Sequence, residues 1–72
     1  MSQASAQRAD VRDMLCAQAL AVVAQAVERL KGAEALQVLF NAEDVRRDLV
    51  VWATDRGHRV AEESAGLLRI TR

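Results

Sequence analysis

The chain has 72 residues, 51% hydrophobic and 28% charged, with ten basic and ten acidic side chains and a formal net charge of zero. That is enough for one small globular domain and too well patterned for disorder. The charge balance excludes a global field that would draw the chain to nucleic acid or anionic lipid. A lone cysteine, Cys16, excludes an intramolecular disulfide scaffold and fits a reducing compartment. No apolar run approaches the roughly 20 residues that span a bilayer. The first residues lack the basic-then-apolar pattern of a secretory signal, so a cytoplasmic protein without a membrane partner is expected.

Residues 1–6 read as a loose tail and residues 7–72 as the domain. Residues 7–12 read as a short strand with Gln7, Ala9 and Val11 on one face. A helix is predicted from Met14 to Lys31, with Asp13 as its N-cap and Leu20, Val23, Val27 and Leu30 as its apolar stripe. Gly32 supplies its stop.

Ala35 to Phe40 follows as a strand that is apolar on both faces, which suits a central place in a sheet. Asn41 reads as the N-cap of a second helix, with Asp44 in its first turn. Val45, Leu49 and Trp52 point to the core, and Arg56-Gly57 ends the helix. Strands at His58–Glu63 and Leu67–Thr71 are joined by Ser64-Ala65-Gly66, a hairpin connection. The order is β-α-β-α-β-β. Right-handed crossovers predict an α/β two-layer sandwich, a four-stranded mixed sheet with both helices on one face.

The stretch Asp10-Val11-Arg12-Asp13-Met14-Leu15-Cys16-Ala17-Gln18-Ala19 resembles the Asp-x-x-Gly-x-x-Cys-Pro-x-Pro motif of the TusA (SirA-like) family. Asp48-Leu49-Val50-Val51-Trp52 and Gly57-His58 resemble that family's second landmark, Asp-(Ile/Phe)-Pro-x-Trp followed by Gly-His. The resemblance runs from about Asp10 to Arg72. Asp13 stands where the family has Gly. Ala17, Ala19 and Val50 stand where it has Pro, and the chain has no proline at all. Natural divergence and deliberate engineering both account for that pattern.

The resemblance implies a sulfur carrier, or sulfurtransferase, that holds persulfide sulfur on Cys16. It implies a cysteine desulfurase or another sulfurtransferase as donor. A downstream acceptor would serve tRNA thiolation, cofactor assembly or sulfur metabolism. No cofactor is called for, and a monomer is expected. The alternative is a binding or regulatory module that keeps the fold without sulfur transfer.

In the first turn of a helix, Cys16 is expected to have a lowered pKa, because free N–H groups and the helix dipole favour an anion. Alanines in place of the prolines are expected to let the helix start a turn earlier, at Asp13, setting Cys16 deeper and bringing a negative charge near the sulfur. From composition alone, a lone cysteine is most often a small buried hydrophobe. His58 offers a Cys–His pairing, but its place at a strand opening favours a structural role. One Cys and one His are too few for a closed zinc site. Asp48 is expected to cap or bridge a loop. Arg12, Asp13, Arg46 and Arg47, with Arg8, are candidates for docking a partner near the cysteine.

Overall fold

The computed structural model describes residues 7–31 and 34–72; the predicted tail and the stop at Gly32 lie outside them. The elements are β1 (Gln7–Asp10), α1 (Cys16–Glu28), β2 (Ala35–Leu39), α2 (Glu43–Asp55), β3 (Arg59–Ser64) and β4 (Leu67–Thr71). The sheet order is β1-β2-β4-β3. β1 and β2 are parallel, whereas β4 is antiparallel to both of its neighbours. β2 is therefore central, as its two apolar faces require. Because each helix follows one of two parallel strands, both helices begin at the same edge of the sheet.

One buried cluster holds the domain together. The strands supply Ala9, Leu36, Val38, Leu68 and Ile70; α1 supplies Ala19, Val23 and Val27; α2 supplies Val45, Leu49 and Ala53. With period two, these strand residues share one sheet face, so both helices pack against it. Burying each Leu or Val contributes about 1.5–3 kcal/mol. On the opposite face Arg8 donates to Gln37 (3.3 Å) and Gln37 to Glu63 (3.2 Å), with Arg69 also near Glu63. Trp52 packs against the core cluster but is only half-buried, and Ala53 takes the fully interior position one residue on.

The connections follow backbone chemistry. Gly57 (φ +82°) and Gly66 (φ +81°) sit in the left-handed region, closing α2 and the β3–β4 hairpin. A Cβ on Gly66 would also come within 3.1 Å of the Phe40 carbonyl. None of the described helices is long and apolar enough to cross a membrane.

Candidate functional site

Cys16 is the first residue of α1, and the turn leading into it is built by Asp10 and Asp13. The Met14 N–H donates to the Val11 carbonyl (3.3 Å), closing a four-residue turn. Asp13 is its third residue, at φ +64°, and is the only non-glycine with positive φ among the described residues. Turns of this class require that conformation, which Gly adopts freely and Asp tolerates. This is why Asp13 can stand where the family motif has Gly. Asp10 braces the same turn. Its carboxylate accepts from the Arg12 side chain at 2.9 and 2.7 Å and from the Arg12 N–H at 3.1 Å. The guanidinium's hydrogen bonds pull the Asp10 pKa from 3.8 down to about 2.

Both predicted N-caps are corrected. Asp13 and Asn41 cap neither helix; they bind each other. The Asp13 N–H donates to Asn41 Oδ1 (2.9 Å), and Asn41 Nδ2 donates to Asp13 Oδ1 (2.7 Å). This ties the β1–α1 loop to the β2–α2 loop. The helices start later, with Leu15 and Ala42 at the cap positions; neither of their side chains caps, and Gln18 Oε1 accepts from the Leu15 N–H (3.2 Å). α1 thus does not reach back to Asp13 despite its alanines. The positive φ at Asp13 keeps that residue out of a right-handed helix, so Cys16 stays in the first turn.

The thiol is half-buried, beside a Leu15 side chain that is 74% exposed. Its electrostatic setting reverses the expected one. The Asp48 carboxylate, one turn into α2, favours the protonated thiol and raises its pKa; desolvation and the charge of Asp44 act in the same sense. The local backbone N–H lowers it, as the smallest contribution. The carboxylates near the sulfur are therefore Asp48 and Asp44 rather than Asp13. Parallel helices starting at one edge put them there.

The other candidates are dispersed. Arg12 is held by Asp10, and Arg46 is paired with Glu43 in the first turn of α2. Arg47 is exposed on α2. His58 is not beside the thiol. It lies past the far end of α2, its ring 5.7 Å from that of Trp52. Among the described residues no three His, Cys, Asp or Glu side chains are grouped so as to hold a metal ion.

The sequence profile of the family described as Sulfurtransferase TusA matches residues 7–71, nearly the whole chain. The chain belongs to the TusA family. Its β-α-β-α-β-β order and mixed four-stranded sheet accompany that membership. In general terms the TusA family carries a sulfur-carrier or sulfurtransferase role, exercised with protein partners. No curated protein and no solved structure matches the chain.

Proposed function

We propose that this TusA-family chain carries sulfur on Cys16 and relays it between proteins. The observation that carries the reading is the position of Cys16. It opens α1 at the surface, at the end of a turn whose Asp10 and positive-φ third residue follow the family motif. The Cys16 thiolate attacks the outer sulfur of a donor persulfide. A new sulfur–sulfur bond forms, the donor's own breaks, and the donor leaves as a thiolate that takes up a proton. No oxidant, metal or cofactor enters the balance. The Asp48 carboxylate favours the protonated thiol, and that proton must leave before attack. A cysteine desulfurase or another sulfurtransferase is the donor, a second protein is the acceptor, and the setting is the cytoplasm. Docking falls to the surface around Leu15 and Cys16, and Arg12, Asp13, Arg46 and Arg47 are the candidates for further contact with the partner.

The raised thiol pKa favours a second reading, a module that keeps the fold without transferring sulfur. Mass spectrometry after incubation with a cysteine desulfurase and cysteine separates the two. The carrier gains one sulfur atom, and Cys16→Ser gains none while staying folded. An unmodified, folded wild-type chain would overturn the carrier reading in favour of the module.

A further inference from the structure

The second feature of the molecule lies at the opposite end of the helical layer. A cleft of about 210 Å³ opens between the last turns of α1 and α2. Ala24 and Val27 of α1 form its apolar wall. Trp52, Arg56, His58 and Arg72 line the rest of it, and Glu28 is the one side-chain carboxylate in the lining. Ala24 is about 12 Å further along α1 than Cys16, so the cleft is separate from the thiol.

The cationic groups are held in place. The Arg56 guanidinium stacks over the Trp52 ring at 5.8 Å, and the indole and imidazole meet at 5.7 Å with a 50° tilt. Arg72 spends one donor on the Leu30 carbonyl (2.9 Å), leaving the rest of its fork free. The ion pairs among the described residues are Arg12–Asp10, Arg46–Glu43 and Arg69–Glu63; neither Arg56 nor Arg72 takes part in one. Two guanidiniums that take part in none of these ion pairs therefore line one cleft with an indole and an aliphatic wall. The space is below the ~300–1,000 Å³ of sites for drug-sized ligands. It suits one ring and its acid group.

We propose that the cleft lined by Trp52, Arg56 and Arg72 binds a small anion built on a planar ring. The ring lies between Trp52 and the Ala24–Val27 wall, and the acid group meets the two guanidiniums. Glu28 accepts a hydrogen bond from a donor on the ligand. A nucleoside monophosphate and an aromatic carboxylate share this chemistry. The proposal does not depend on sulfur carriage.

Trp52 is the only tryptophan, so its fluorescence reports on the cleft. The full chain is titrated at low ionic strength with adenosine monophosphate and benzoate, and with adenosine, benzamide and inorganic phosphate as partial ligands. Saturable quenching by at least one ring acid is expected, and which acid responds names the source. Its partial ligands should bind at least about tenfold more weakly, and Arg56→Gln and Arg72→Gln should each weaken the acid about tenfold. Arg72→Lys, which keeps the charge, should retain more affinity than Arg72→Gln. Amide NMR spectra verify folding and should confine the shifts to the far ends of α1 and α2. Sulfur loading of Cys16 should be unchanged in the variants. Absent binding by both acids, binding that survives the paired Arg56→Gln and Arg72→Gln changes, or shifts confined to the Cys16 end would each overturn the proposal.

Discussion

At one end of the helical layer, the first turns of α1 and α2 bring together a thiol and two carboxylates. At the other end, their last turns bring together an indole, an imidazole and two guanidiniums. Helix electrostatics favour this division, because acids suit a helix N-terminus and cations a C-terminus. Glu43 and Asp44 open α2, and Arg56 closes it. The consequence for Cys16 is that a device that stabilises α2 works against its thiolate. The N–H groups of α1 favour the anion, but Asp48 and Asp44 of the neighbouring helix prevail. An N-terminal position on one helix therefore does not by itself set a cysteine's reactivity; the next helix counts too.

Leu49 belongs to neither end and supports both, since it anchors the middle of α2 in the core and is fully buried. Leu49→Ala should cost about 2–5 kcal/mol, the largest effect expected. In a domain this small it should unfold both ends together in a urea titration followed by Trp52 fluorescence and by thiol labelling. Separate transitions would show that the ends are independent.

Asp13→Val should strike the thiol end alone. It sets a β-branched residue at φ +64° and removes the carboxylate that accepts from Asn41 Nδ2, leaving only the backbone N–H bond to Asn41 Oδ1. The loss should be about 1–3 kcal/mol by thermal or chemical denaturation. Asp13→Gly keeps the turn and should lose less.

Asp48→Asn sharpens the electrostatic side of the comparison with little effect on stability. The thiol pKa is raised, so the thiolate forms at higher pH than on an unperturbed cysteine. The favoured S–H form likewise stabilises the fold below the unfolded-state pKa, and that contribution is lost as pH rises through the folded one. Removing the Asp48 charge should shift the alkylation profile to lower pH and speed labelling at neutral pH severalfold. An unmoved profile would break the account.

The smallest effect belongs to Asp10. Its pKa is depressed from 3.8 to about 2, so its bond to Arg12 stabilises the turn above 3.8 and is lost as pH falls towards about 2. Asp10→Asn should flatten that part of a melting-temperature profile, with little change at neutral pH because the pair is exposed.

Much of the architecture was legible in one dimension. Apolar residues on both faces of Ala35–Phe40 marked a central strand, and Val23, Val27, Val45 and Leu49 marked the buried helix faces. Arg56-Gly57 marked the end of α2, and Leu67–Thr71 matches β4. Trp52 packs against the core and also lines the cleft, and its apolar spacing alone does not show the second place. Its i, i+4 relation to Arg56 was the available signal for the cleft.

By itself, the sequence determined the order of the elements, the apolar faces that build one core, and the motif that sets Cys16 at the end of a turn. Those features depend on local periodicity and on which residues tolerate a given backbone conformation. Only the tertiary structure decided that Asp13 and Asn41 bind each other instead of capping helices, and that the Asp48 charge acts on the thiol. The physical reason is the same in both cases. The partners are far apart in the chain, and the parallel course of two helices makes them neighbours.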